Sequence, residues 1–520
     1  MKTTKGFPFY CVFFASYPAL ALMSNNITEN KLIVVVRPLL VSIVIAMISL
    51  LIIWFISRDI QRSGLITLLF CALFFSFGHI FGLLEGKSIL GYEVDRIRYL
   101  ALLFLVVFII GSMIILRTKH IPAGLSRNLL IISLVLLVIP VGNIILHSIS
   151  SKHYSKISEQ SLPVDQSQAI APMDSPDIYY IILDSYTRQD VLEQAYHYDN
   201  QPFIDTLKNI GFYIADCSQS NYLRTHYSLA SSLNMDYLPN LDDRLQPGKV
   251  NPDVLMNLIK HSKVRADLKQ LGYRFIAFEN TYINTQIPDA DVYIRTSNIS
   301  IAQILVGYIN PFEEMFIKTT TAVVVYRIPL GAFGEWIMRS SFPYYEDANI
   351  QLNQLRMLPE IAEEPGPKFV FVHMNIPHRP FIFDENGELL TDPEYYGDNG
   401  KALSRRYHMK GYTKQIAFLN NQLPTIISNI LTESMVKSII IIQGDHGLDP
   451  QNRSKILNAI YFPDQNYNTL YPSISPVNTF RLVFNQYFGT TYPILKDQVN
   501  DVYPPSIFSV RPIVVSELCK

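Results

Sequence analysis

At 520 residues the chain is too long for one small domain and long enough for two or three. Only 17% of residues are charged against 49% apolar, which leans toward a membrane protein, and a formal net charge of −1 excludes a basic nucleic-acid-binding surface. The four cysteines have no CxxC spacing, which excludes a zinc ribbon or a dithiol redox motif.

In chain order, five apolar segments come first: Phe7–Met23, Pro38–Ile56, Leu65–Leu84, Tyr99–Leu116 and Asn128–His147. Each is near the roughly 20 residues that cross a bilayer as a helix. The first follows Lys2 and Lys5 as a signal peptide would, but no clear small-residue cleavage site follows it, so it reads as a retained helix. Lys2, Lys5, Arg58, Arg62, Arg117, Lys119 and Arg127 fall in alternate loops, which the positive-inside rule makes cytoplasmic. An odd number of spans from an inside start then places everything after His147 outside the cell membrane. Residues 148–175 are rich in Ser and Gln without periodicity and read as a linker. The stretch from 176 to 520 is large enough for one substantial domain. Cys217 and Cys519 lie in it and can pair if it is extracytoplasmic.

That stretch contains short apolar runs without alternation: Ile178–Asp184, Arg274–Phe278, Lys368–Met374 and Ser438–Asp445. Such runs fit parallel strands covered by helices on both faces. Helical patterns lie between them, so the domain reads as an α/β fold with a mainly parallel central sheet. An apolar segment, Thr319–Met338, reads as a buried core helix, with an interfacial helix as the alternative.

Three of the runs end in polar residues. The first ends in Asp184, the third carries His373 and leads to His378 and Arg379, and the fourth runs into Asp445-His446. Singly, an aspartate after a strand is an ordinary turn or cap residue. Together at strand ends they matter, because ligands of open α/β sheets bind beyond the carboxyl ends of the strands. Two carboxylates and an imidazole form a mixed O/N donor set suited to zinc or manganese more than calcium. Thr225 sits where a helix should begin, beside Arg224. It reads either as a common helix-start residue or as a nucleophile at a helix N-terminus, where free amides attract an anion. Ser228, one turn further in, is the second choice.

The blocks "PDIYYIILDSYTR", "SNYLRTHYSLASSLN", "HMNIPHRPFIFDENG" and "IIIQGDHG" resemble, in this order, the alkaline phosphatase/sulfatase superfamily. The layout is similar to its membrane-anchored branch, the lipoteichoic acid synthases and lipid A phosphoethanolamine transferases. The resemblance implies about five membrane helices followed by a sulfatase-like catalytic domain outside the inner membrane. It implies one divalent metal (Mn, Zn or Mg) held by Asp184, Thr225, Asp445 and His446, with Thr225 and His378 catalytic. His373, His378, Arg379 and Arg224 are then substrate-binding. A membrane phospholipid is the implied donor and an envelope glycan or lipid the acceptor of a phosphoethanolamine- or phosphoglycerol-type group, carried through a phosphothreonine. No formylglycine-type sulfatase block is present, and no histidine follows His446, which leaves a second metal unsupported. The alternatives from other classes are a phosphodiesterase or phosphatase, a sulfatase-family hydrolase, and a non-catalytic envelope scaffold.

Overall fold

The computed structural model describes residues 6–27, 30–84, 88–89, 92–93, 97–122, 124–158, 175–245, 252–296, 309–324, 344–396, 404–502 and 508–511. The chain divides into two compact units: Met1–Ser150 with Ile299–Tyr345, and Ser151–Asn298 with Glu346–Lys520.

The first unit contains α1 (Tyr10–Asn25), α2 (Val36–Ser57), α3 (Ile60–Leu84), α4 (Ile97–Arg117) and α5 (Leu125–Ser158). Among the described residues, four helices are long and apolar enough to cross a membrane: Leu32–Ser57, Ile60–Leu84, Ile97–Arg117 and Leu125–Ile149. This corrects the count of about five. The segment expected as the first span forms α1, 16 residues long. At 1.5 Å per residue it reaches about 24 Å, short of the ~30 Å hydrocarbon core. It buries Cys11, Ala15, Ala19 and Met23, a stripe at four-residue spacing, and packs on α2 and α3. By contrast, α4 leaves Leu102, Leu105, Ile109 and Ile110 about half exposed, and α2 does the same with Ile48, Leu51 and Ile52. Water would not tolerate such a surface, and lipid would. Helix α5 runs through Ser158, into the expected linker; residues 159–174 lie outside the described set.

The segment Ile299–Tyr345, read from sequence as part of the C-terminal domain, groups with this first unit. Its helix Pro311–Thr319 starts with a capping box, Asn310 with Glu313, and proline at the first turn. It packs on α3, where Phe316 meets Phe75 and the Thr321 amide donates to the Phe74 carbonyl. Gly78 permits the approach, because a Cβ there would fall 1.9 Å from the Lys318 carbonyl oxygen. Glu313, 6% exposed, also pairs with Arg37 of α2. Most of the apolar segment Thr319–Met338 lies outside the described residues.

The second unit is built on a seven-stranded sheet. Its strands are β1 (Asp177–Leu183), β2 (Tyr213–Ile214), β3 (Arg274–Phe278), β4 (Val292–Ile294), β5 (Lys368–Met374), β6 (Ser438–Gly444) and β7 (Asn458–Tyr461), in spatial order β2-β7-β6-β1-β5-β3-β4. All neighbours are parallel except those of β7, which pairs antiparallel with β6 and β2. The isoleucines Ile439–Ile442 are fully buried because they alternate between two covered faces. Ile439 and Ile441 share one face with Ile178, Tyr180, Phe369 and Phe371, against α6 (Thr225–Asn234) and α9 (Pro476–Tyr487). Helices α7 (Tyr345–Glu360) and α8 (Arg405–Glu433) complete the α/β arrangement. At the amino end of the sheet, Lys368 and Asp177 form a fully buried ion pair at 2.6 Å between β5 and β1.

Candidate metal and phosphoryl-transfer site

Register brings the strand ends together. Leu183 lies opposite both Gly444 and Met374, so the next residues, Asp184 and Asp445, leave adjacent strands side by side. Ile182, Gln443 and His373 are also in register and share the face on which α6 packs, as the Tyr180 hydroxyl bond to Ser232 of α6 shows. The three central strands β6, β1 and β5 therefore deliver their tips to one rim, beside the first turn of α6.

Oxygen and nitrogen atoms of Asp184, Asp445 and His446 all lie within 4.8 Å of one another, and all three residues are buried. His446 Nε2 is 3.5 Å from Asp445 Oδ2 and 3.9 Å from Asp184 Oδ1. The Thr225 hydroxyl faces the same nitrogen at 3.3 Å. Since a carbonyl can only accept, His446 Nδ1 carries the proton it donates to Gly447 O, 3.0 Å away. Its Nε2 lone pair is thereby turned toward the acids and Thr225. Burial holds the His446 pKa below its ordinary value, against the pull of Asp445 and Asp184, which keeps the ring in its ligating form. Burial alone would raise the Asp184 pKa, but His378, His373 and His446 bring it below the usual carboxylate range.

Within this cluster, Asp445 Oδ2 and His373 Nε2 are buried and have no hydrogen-bond partner among the described residues. His373 Nε2 lies 3.6 Å from Asp184 Oδ2, while Nδ1 of the same ring is fixed by the Thr285 hydroxyl at 2.8 Å. An unpaired carboxylate oxygen buried among acids and imidazoles is costly unless a cation occupies the space. The donor set therefore fits a divalent metal.

The remaining residues singled out from sequence surround this cluster. His378 is half-buried with its ring centre 6.3 Å from that of His446. Arg224 and Arg379 are exposed and act electrostatically on Arg453, as do Asp445 and Asp184. Ser228 is buried, and its hydroxyl is bonded to that of Ser220. Arg453 is anchored by donating to Leu223 O at 2.7 Å, with Nη2 3.4 Å from His446 Nε2. Lys455 turns away to Asp190. An acid cluster rimmed by arginines suits a phosphodiester that brings its own negative charge to a bound cation.

Sequence reading missed Ser185. Its amide donates to Asp445 Oδ1, its hydroxyl donates to Asp184 Oδ1, and His446 Nδ1 lies 3.1 Å from it. It adopts φ +66°, a left-handed conformation costly for a non-glycine residue. It also missed the loop after β3, where Tyr282 bonds His226 Nδ1 at 2.9 Å. Burial, with Arg224 and His446 nearby, pushes the His226 pKa down to about 4. His226 directly follows Thr225, which was the signal available.

No protein-family model and no curated protein matches the chain. Solved structures do. The C-terminal periplasmic domain of EptC from Escherichia coli, in complex with Zn, is 11% identical over 62% of this chain and 84% of its own, with a TM-score of 0.38. The integral membrane lipooligosaccharide phosphoethanolamine transferase EptA from Neisseria meningitidis is 10% identical over 92% of this chain and 95% of its own, TM-score 0.39. The lipoteichoic acid synthase LtaP from Listeria monocytogenes is 12% identical over 66% and 78%, TM-score 0.35. Both kinds of transferase named by the sequence resemblance are among these proteins. At such identities and scores the chemistry rests on the site geometry.

Proposed function

We propose that the second unit transfers a phosphorylated head group from a membrane phospholipid to an envelope glycan or lipid, with Thr225 as nucleophile. The observation that carries this reading is the Thr225 hydroxyl at a helix start, 3.3 Å from His446 Nε2 and beside two buried carboxylates. Asp184, Asp445, His446 and the Thr225 oxygen would hold one divalent metal. When bound, such an ion makes an alcohol more acidic and screens phosphate charge. The Thr225 oxygen, its proton released to solvent, attacks phosphorus. The Thr225 Oγ1–P bond forms and the bond from phosphorus to the lipid alcohol breaks. His378, at the rim, donates a proton to the departing alcohol. Arg224, Arg379 and Arg453 hold phosphoryl oxygens, and the first amides of α6 face the developing charge. An acceptor hydroxyl then displaces Thr225 from phosphorus, restoring the free threonine.

Attachment to membrane-length helices supports a lipid donor, because tethering a chain to a bilayer raises the effective concentration of lipid substrates. The disulfide at Cys217 supports an oxidising, extracytoplasmic location; Cys519, its expected partner, lies outside the described residues. This support replaces the span-counting argument, which needed α1 as a fifth crossing. Thr225→Ala and Asp445→Ala should each reduce turnover of phospholipid by about 10³-fold or more while leaving circular dichroism unchanged. Wild-type turnover in either variant would remove the mechanism. Chelation should abolish the activity, and added zinc or manganese should restore it.

A further inference from the structure

Helix α8 meets the reaction centre through two fully buried side chains, Tyr412 and Gln415. They stand three positions apart on the helix and so lie on one face. The Tyr412 hydroxyl donates to the Ser185 carbonyl at 2.7 Å and accepts the Thr187 amide at 3.1 Å. It thus ties together the turn that follows Asp184. Gln415 serves the other arm of the site. Its Oε1 accepts the Ile382 amide at 2.8 Å and the Phe383 amide at 3.4 Å. Its Nε2 donates to the Pro377 and His378 carbonyls, each at 3.1 Å. Gly411 lets the helix come this close, since a Cβ there would fall 2.4 Å from Phe381 Cδ2.

A carboxamide offers two donor hydrogens and an oxygen with two lone pairs. Gln415 directs all of them to one segment, residues 377–383, and grips it on both sides of Arg379. A glutamine buried in a helix costs free energy unless it is bonded, and an apolar residue of similar size would pack there without that demand. The bonds therefore hold the loop, and the loop carries His378. Its ring Nδ1 donates to the Arg379 carbonyl, which leaves Nε2 as the atom open to proton transfer. Resting on the transfer reading above, we infer that Gln415 is a positioning residue for His378, while Tyr412, one turn away, positions the turn that bears Asp184. As the bond from phosphorus to the lipid alcohol breaks, the proton on His378 Nε2 passes to the departing oxygen, and Gln415 fixes where that nitrogen stands. One helix thus braces the metal side and the proton-donating side of the reaction through separate side chains.

The test is a double-mutant cycle on the full chain in micelles containing phosphatidylethanolamine and phosphatidylglycerol. Released diacylglycerol reads turnover, and isothermal titration reads zinc affinity. Gln415→Met should lower diacylglycerol release about 10- to 100-fold, the scale of misplacing a catalytic group, and bind zinc within about twofold of wild type. In a His378→Ala background the same substitution should cost nothing further, because no imidazole is left to position. Bis(p-nitrophenyl) phosphate, whose departing phenol needs no proton, should be cleaved with a smaller loss. Tyr412→Phe should instead weaken zinc binding about tenfold. If Gln415→Met does not fold, Gln415→Glu, which keeps both acceptor bonds, is read in its place. Equal losses in the two backgrounds, equal losses on the two substrates, or zinc binding weakened by Gln415→Met as much as by Tyr412→Phe would each make Gln415 an ordinary core residue and overturn the inference. A wild type that releases no diacylglycerol, or a His378→Ala variant as fast as wild type, removes instead the transfer reading or its proton donor, and this inference with it.

Discussion

Ser185 shows how one residue can tie a cluster of acids and an imidazole together. It links the two carboxylates and the imidazole that face Thr225, and it does so from a left-handed backbone. Glycine tolerates that conformation but has no hydroxyl. Ser185→Gly should therefore fold at least as stably as wild type yet bind zinc about 10- to 100-fold more weakly, the range for losing a partner that orients ligands. Isothermal titration of the purified protein reads the affinity, and unchanged binding would reduce Ser185 to a turn residue. At the far end of the sheet, Lys368 and Asp177 are fully buried and satisfied by each other, with Lys368 also donating to the Ala362 and Glu364 carbonyls. Lys368→Met leaves the buried Asp177 carboxyl without its cation, which should cost about 3–5 kcal/mol in urea unfolding without altering the metal cluster. The two substitutions separate binding from folding at opposite ends of the same strands.

Among elements, the junction of β1 with β6 sets the tolerance of the site. After Asp184 the chain crosses over the end of β6, and the Tyr186 carbonyl would sit 2.3 Å from a Cβ at Gly444. That carbonyl accepts the Leu457 amide, and the Ser185 carbonyl accepts the Tyr412 hydroxyl of α8, so neither can simply move away. Gly444→Ala should push the 184–186 turn off the rim. We expect a loss of at least about 2 kcal/mol of stability, the scale of overpacking in a close-packed interior, together with loss of metal binding. A variant that melts normally and binds zinc would show that the turn is softer than its contacts imply. The acid that ends β1 and the pair that ends β6 were legible because apolar runs stop abruptly at them. Their adjacency was not. It follows from the order β6-β1-β5, which the sequence spacing of Asp184, His373 and Asp445 does not encode.

For the whole molecule, the division into units departs from the linear order of the chain. Residues on either side of Ile299–Tyr345 belong to the second unit, while that segment belongs with the membrane-length helices. Its described part is held there by the Arg37–Glu313 pair and by the contact at Gly78. The compartment of the second unit is readable through Cys217. Cys217→Ser should abolish the shift in electrophoretic mobility between oxidised and reduced protein and lower stability by about 2–5 kcal/mol, the usual cost of losing a native disulfide. A wild-type Cys217 that reacts with a thiol reagent without prior reduction would argue for a reducing compartment.

The sequence by itself determined the classes of element. Apolar runs of membrane length read as helices able to cross a bilayer, and apolar runs of strand length without alternation read as strands buried on both faces, because burial follows side-chain chemistry and period. It also marked the residues at which those runs end. Only the tertiary structure decided that α1 stops short of a full crossing, that Ile299–Tyr345 joins the first unit, that Ser185 and Arg453 border His446, and that the β3 loop reaches His226 and His373. Those outcomes depend on strand order, helix length and packing between residues hundreds of positions apart, and no local pattern carries that information.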